Sequence, residues 1–118
     1  MTRIPELDRD TLESAIYLPM LLTILERDRL IFEQINVKIK EPYLNLIENT
    51  IKAVQADHKV IRDKMRKENM KVWEVARDKA FTSYAFLYKG YEEHHNYFNP
   101  AIRNRVAALM ERYINTKA

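Results

Sequence analysis

Cysteine is absent from this sequence, and glycine occurs only once in 118 residues. Without cysteine there is no disulfide framework, no thiolate metal site and no cysteine nucleophile. A single glycine excludes phosphate-binding loops, dinucleotide-binding fingerprints and nucleophile elbows, because each of these needs glycines for tight turns and close backbone approach. The sequence therefore favours a non-enzymatic protein without a cofactor.

The scarcity of glycine also bears on the fold. A strand-rich domain of this size normally uses several glycines in its hairpins and bulges. Hydrophobic residues make up 47% of the chain and charged residues 31%, which is an ordinary globular balance. We therefore predict an all-α fold, a helical bundle of four or five amphipathic helices. It would form a single helical domain (10–118) after a flexible N-terminal tail (1–9).

Apolar residues spaced by three and four positions predict the helices. Asp10 and Glu13 have the spacing of a capping box, which indicates the start of the first helix. The clearest pattern is a heptad seam that runs from Leu44 to Met65. Asn99 followed by a proline indicates the start of a short C-terminal helix (100–114).

The segment after Met65 allows two interpretations. In the first, the chain breaks near Asn69 and folds back, so that residues 42–67 and 71–97 form a long antiparallel helical hairpin. In the second, a single helix continues to about Phe98 and is roughly 80 Å long at 1.5 Å per residue. We favour the break, because a compact domain requires the chain to reverse.

Aromatic side chains are concentrated between residues 72 and 98. On a helix they would cover more than one face, and such a helix is buried by neighbours on several sides. A bundle this small would need a second copy of the chain to supply some of these neighbours, so we predict a homodimer. Core packing is the alternative use of these aromatics. The interface candidates are Trp73, Phe81, Tyr84, Tyr88 and Tyr91.

A basic stripe is predicted along the helix over 42–67. Lys52, Lys59, Arg62 and Arg66 follow steps of seven, three and four residues, which place them on one side of a helix. The whole chain carries a formal net charge of +3. Basic helix faces can track phosphates through salt-sensitive contacts. Nucleic-acid binding is therefore the alternative function, and an ordinary solvated surface is the competing interpretation of the stripe.

Glu92 and His95 have the Glu-x-x-His spacing that directs both side chains toward a metal in the core of ferritin-like carboxylate proteins. Such a site needs a second motif of the same kind. The remaining histidine, His58, has Gln55 at the position where a glutamate would be required. The ligand set is incomplete, so these two residues are weak candidates and no metal is predicted.

The leading hypothesis is a small helical regulator or adaptor that acts through protein–protein contacts as a homodimer. The longest apolar stretch, residues 16–25, is far too short to span a bilayer and contains Pro19. The N-terminal residues are polar and lack the features of a secretion signal. We therefore expect a cytoplasmic location without membrane contact.

Overall fold

The computed structural model describes residues 3–116 and shows an α+β fold. The all-α helical bundle predicted from the sequence is wrong, because the region expected to form the second arm of a helical hairpin forms a three-stranded antiparallel sheet. The elements follow one another in the order α1 (Glu6–Gln34), α2 (Glu41–Lys67), β1 (Met70–Arg77), β2 (Phe81–Tyr88), β3 (Tyr91–Phe98) and α3 (Asn99–Asn115).

The two long helices, α1 and α2, form an antiparallel hairpin that the sheet and α3 cover in part. Helix α1 continues through Pro19 without a break. All of its buried residues lie between Thr11 and Leu25, and Leu12 and Leu21 are fully inaccessible to solvent. The central part of α1 therefore forms the middle of the core.

The sheet is a meander in which β2 lies between β1 and β3. Four alternate residues of β2 are buried against the helices: Thr82, Tyr84, Phe86 and Tyr88. A period of two with aromatic and β-branched side chains is typical of a strand that is buried on one face. This alternation, rather than a three-to-four spacing, determines the structure of the segment.

Three local features at the ends of the strands allow the chain to form this sheet with a single glycine. Asn69 has a positive φ of 57° between α2 and β1. Asp78 closes the first hairpin, since its carboxylate accepts hydrogen bonds from the backbone N–H groups of Ala80 and Phe81 at 2.8 and 2.7 Å. In the second hairpin Lys89 and Gly90 both have positive φ, as a type I′ turn requires. The expectation that a sheet needs many glycines therefore failed here.

Helix α3 begins one residue before the predicted C-terminal helix and packs on the helical hairpin. Ile102 and Val106 are its buried residues. Near its end, the hydroxyl of Tyr113 donates a 2.6 Å hydrogen bond to Asp57 of α2. The sheet and α3 thus hold different parts of the same pair of helices.

Helix α1 begins at Glu6, before the predicted start at Asp10. Ile4 is buried in the core cluster, and the backbone N–H of Arg3 donates a 2.8 Å hydrogen bond to Glu93. Residues 1–2 of the predicted tail and residues 117–118 of the predicted domain lie outside the described residues. Within residues 3–116, no helix is both long and apolar enough to cross a membrane.

Candidate functional site

One face of the sheet packs on the helices, and the opposite face, called here the outer face, has no other described element over it. The hydroxyls of Tyr88 and Tyr97 both reach carboxylates of α1, which fixes the inner face. By alternation, the neighbouring residues of each strand point outward. The apolar residues of the outer face and its bulged edge are Trp73, Val75, Phe81, Ala85, Leu87 and Phe98.

Most of these apolar side chains remain accessible to solvent. The exposed fractions are 42% for Trp73, 48% for Val75, 40% for Phe81 and 50% for Phe98. Phe81 and Phe98 are cross-strand neighbours whose ring centroids lie 5.4 Å apart. Ala85 is fully buried without belonging to the core cluster, and its cross-strand partners are Trp73 and His94.

The polar residues of the outer face are partly paired with one another. The hydroxyl of Ser83 donates a 2.7 Å hydrogen bond to Asn96 on the adjacent strand. The Nε2 atom of His94 lies 2.7 Å from a carboxylate oxygen of Glu92. Lys71 is exposed at the β1 edge of the same face. The outer face thus combines accessible aromatic rings with a small number of charges of both signs.

The structure divides the five interface candidates between the two faces. Trp73 and Phe81 lie on the outer face, whereas Tyr84, Tyr88 and Tyr91 lie on the inner face. Tyr84 is buried, and this burial raises the pKa of its hydroxyl. The Tyr88 hydroxyl donates a 2.7 Å hydrogen bond to Asp8, which is the main reason why the pKa of Tyr88 is raised. These tyrosines join the sheet to the helices.

Tyr91, the last of these candidates, is the first residue of β3 and is half-buried. The guanidinium carbon of Arg3 lies 4.7 Å from the centre of its ring, a cation–π contact. Residues of the outer face that the sequence did not single out are Leu87, His94 and Phe98. Period-two counting within β2 would have grouped Leu87 with Phe81, and the same counting within β3 would have grouped His94 with Phe98.

The weak metal candidates are separated by the strand. Residues three apart lie on one face of a helix but on opposite faces of a strand. Glu92 therefore points outward beside His94, while His95 points inward, 2.9 Å from Glu93 and stacked on Phe86 at 4.8 Å. Across residues 3–116, no group of three or more His, Cys, Asp or Glu side chains lies together in a way that could hold a metal ion.

The basic stripe is present on α2, where all four of its residues are exposed. Only Arg62 and Arg66 reach the groove between α2 and β1, which has a volume of about 610 Å³. Lys71 and Trp73 line the same groove from the strand. Arg66 is paired with Asp63 at 2.7 Å. Lys52 lies roughly 15 Å from Arg62 along the helix, and neither it nor Lys59 lines the groove.

A second charged cluster surrounds Glu13, where α1, β3 and α3 meet. The Tyr97 hydroxyl donates a 2.6 Å hydrogen bond to Glu13, and burial together with this bond raises the pKa of Tyr97. Arg9 and Arg105 both lie 3.7 Å from the same carboxylate. Tyr97 and Arg105 thus fasten β3 and α3 to α1, while Arg9 pairs with Glu13 within α1, and we assign this cluster a structural role.

These features define an α+β domain in which a helical hairpin supports a three-stranded sheet with one open face. The chain belongs to the YhjD protein family, whose model matches residues 3–118. It is 43% identical over 105 residues to the uncharacterized protein YhjD of Bacillus subtilis (strain 168), covering 89% of this chain and 88% of that protein. No solved structure is significantly similar.

Proposed function

We propose that this protein is a non-enzymatic regulator or adaptor that binds a protein surface through the outer face of its sheet. The observation that carries the proposal is the group of accessible apolar residues on that face, three of which are the aromatic residues Trp73, Phe81 and Phe98. Rigid aromatic side chains contribute much of the binding energy of protein interfaces. A cytoplasmic location, which the absence of cysteine favours, is part of the proposal.

The position of these residues supports the proposal further. Strands β2 and β3, which carry two of the three aromatic residues, are anchored to α1 by hydrogen bonds from Tyr88 and Tyr97 on the opposite side of the sheet. A partner would therefore meet aromatic rings that are already ordered, and little conformational entropy would be lost on binding.

Site-specific photo-crosslinking in cells tests this proposal. A photoreactive phenylalanine analogue would replace Phe98 on the outer face or, as the control, Tyr43 on α2. Both side chains are 50% exposed, so the two probes are equally accessible. We expect a discrete protein adduct from position 98 and none from position 43. Equal labelling at both positions, or no adduct from position 98, would contradict the proposal.

A second candidate function is binding of single-stranded nucleic acid in the groove between α2 and β1. Arg62, Arg66 and Lys71 would contact phosphates there, and a base could stack on Trp73. This hypothesis uses two residues of the basic stripe and adds two residues from the strand. It also requires Trp73 to be free, so it competes directly with a protein bound on the outer face.

Trp73 is the only tryptophan in the sequence, and its fluorescence can test this second function. Titration with an oligothymidylate should quench the emission, and affinity should fall with salt with a slope of about −2 for three phosphate contacts. Arg62→Glu should abolish the quenching, whereas Lys52→Glu, outside the groove, should change it little. Unquenched emission at low salt would eliminate the groove as a nucleic-acid site.

A further inference from the structure

We infer that the partner on the outer face is a second copy of this chain, related by a two-fold axis that runs parallel to β2. This inference rests on the proposed function and specifies its partner. It is carried by the arrangement of charged, small and apolar residues in rows across the sheet. The homodimer predicted from the sequence here acquires a surface and an orientation.

The first row across the outer face contains Lys71, Leu87 and Glu92, on β1, β2 and β3 respectively. A positive charge thus lies at one edge and a negative charge at the other. A two-fold axis parallel to β2 places β1 of one copy over β3 of the other. Lys71 then lies opposite Glu92 of the second copy, and this ion pair forms twice because the interface is isologous.

The second row contains Trp73, Ala85 and His94. Under the same axis, the indole of Trp73 lies over the imidazole of His94 of the second copy. Ala85, between these two residues in its own sheet, is already fully buried, so the contact in this row involves Trp73 and His94. Phe81 and Leu87 also lie on β2, so each would pack near its own counterpart. Twisted sheets pack face to face in this aligned manner with their strands inclined by about −30°, so the axis bisects the small angle between the two β2 strands.

A two-fold axis perpendicular to the strands would also join the outer faces, but it brings residues of poorly matched chemistry together. It places the end of the sheet that carries Phe98 over the end that carries Glu92. A carboxylate would then be covered by an aromatic ring, and Lys71 would have no acidic residue opposite it. Burying a charge without a partner is costly. The charge pattern therefore selects the axis parallel to β2.

The size of the face sets the expected strength of the dimer. Three strands of eight residues form a surface of roughly 14 by 27 Å. This corresponds to roughly 380 Å² per copy and roughly 760 Å² in total, which is below the about 1,200 Å² of stable interfaces and in the range of weak, transient complexes. Interfaces of about 1,600 Å² have dissociation constants of about micromolar or tighter, so we expect a weaker constant here, and the monomer and the dimer should exchange with protein concentration.

Charge reversal tests the axis directly by sedimentation velocity. Lys71→Glu and Glu92→Lys each place like charges opposite one another in their own homodimer, and each should weaken association about tenfold. An equimolar mixture of the two variants restores both ion pairs in the heterodimer, so its affinity should return to that of the unmodified protein. Lys52→Glu on α2 is the control and should leave association unchanged. A mixture no tighter than either variant would overturn the proposed axis.

Leu87→Asp provides an independent test of the surface, because it places two carboxylates close to the axis. Dimerisation should weaken by about 100-fold, because each carboxylate would be buried without a partner, and circular dichroism should confirm that the monomer remains folded. Burial should also shift the Trp73 emission to the blue as the concentration of the unmodified protein rises. A protein that stays monomeric at millimolar concentration would overturn the inference. A photo-adduct from position 98 with a different protein would still support the proposed function, so the two can fail separately.

Discussion

At the scale of single residues, Asn99 connects the first hairpin, the sheet and α3. Its amide nitrogen donates hydrogen bonds to the carbonyls of Asp78 and Lys79 at 3.0 and 3.1 Å, and its amide oxygen accepts one from Thr82 at 2.7 Å. Its backbone N–H also bonds the carbonyl of Ala80 at 2.7 Å. One side chain thus satisfies groups that the turn would otherwise leave unpaired.

Asn99→Ala should therefore lower the free energy of unfolding by about 1–3 kcal/mol, because it leaves Thr82 and two turn carbonyls without their partner. Asn96→Ala is a matched control, since it removes one exposed hydrogen bond to Ser83 and should cost less than about 1 kcal/mol. Urea denaturation measures both values. Equal effects of the two substitutions would contradict the role given to Asn99.

The pKa of His58 on α2 depends on its burial and on a neighbouring positive charge. Burial, and then the positive charge of Arg62, lower the pKa of His58 below 6.5. The unfolded chain therefore binds a proton more readily than the folded chain. The contribution of His58 to stability is present above about pH 6.5 and is lost as the pH falls from there through the lower, folded-state pKa.

An NMR titration of the His58 ring should give a midpoint below 6.5. Arg62→Gln should raise the pKa part of the way, because it removes the charge and leaves the burial. His58→Gln should reduce the pH dependence of the unfolding free energy below pH 6.5. A midpoint at or above 6.5 in the unmodified protein would show that neither effect operates.

At the scale of the elements, the β2–β3 turn depends on backbone conformation alone. Gly90 has a φ of +89°, and a Cβ added there would meet no atom within 4 Å. Gly90→Ala should therefore cost about 1–2 kcal/mol through backbone strain and not through a clash. Gly90→Asn should cost less, since asparagine tolerates a positive φ. Thermal unfolding of both variants measures the difference, and an alanine variant as stable as the asparagine variant would refute this origin.

The helices could be predicted from the sequence, whereas the sheet could not be predicted from helix-period counting. Helix α2 and the start of α3 follow from the seam that ends at Met65 and from the Asn99-Pro100 pair. Between residues 70 and 98, aromatic residues are so frequent that a spacing of three or four can be found as easily as a spacing of two. The alternation of buried residues that includes Tyr84 and Phe86 distinguishes a strand from a helix here. A low glycine content does not exclude a sheet, because Asn69 and Lys89 also adopt a positive φ.

The period of the secondary structure also determines which candidate residues share a face. The basic stripe lies on a helix, so Arg62 and Arg66 are on one exposed side as expected. The interface candidates were taken from a concentration of aromatic residues expected on a helix, and a strand divides that concentration between its two faces. Trp73 and Tyr88 are both interface candidates, but they lie on opposite faces of the sheet.

At the scale of the whole molecule, packing is distributed unevenly along the helical hairpin. Within residues 26–45, the part of the hairpin farthest from the sheet, no side chain is buried. Arg29 and Glu48 form an exposed ion pair at 3.5 Å, and the rings of Phe32 and Tyr43 lie 5.9 Å apart. Contacts between α1 and α2 therefore hold this end together, without a core around it.

Hydrogen exchange should show this difference. Amides near Leu12 and Val54, which are fully buried, should exchange only by global unfolding. Amides in 26–45 should exchange through local opening, with protection lower by several orders of magnitude. Leu21→Ala should reduce protection everywhere by lowering global stability by about 2–5 kcal/mol. Uniform protection along both helices would argue against an independently opening end.

Because the far end of the hairpin has no buried side chain, the two helices could be lengthened or shortened there without changing the core. Seven residues could be inserted in, or deleted from, both α1 and α2 between Leu25 and Thr50, where neither helix has a buried side chain. Such paired changes would preserve the surfaces with which the two helices face each other. They would extend or shorten the 53 Å long axis by about 10 Å per step without altering the sheet. Hairpins of different length should therefore be compatible with the same sheet, and foreign sequence could be inserted in the loop at 35–40 at little cost to the fold.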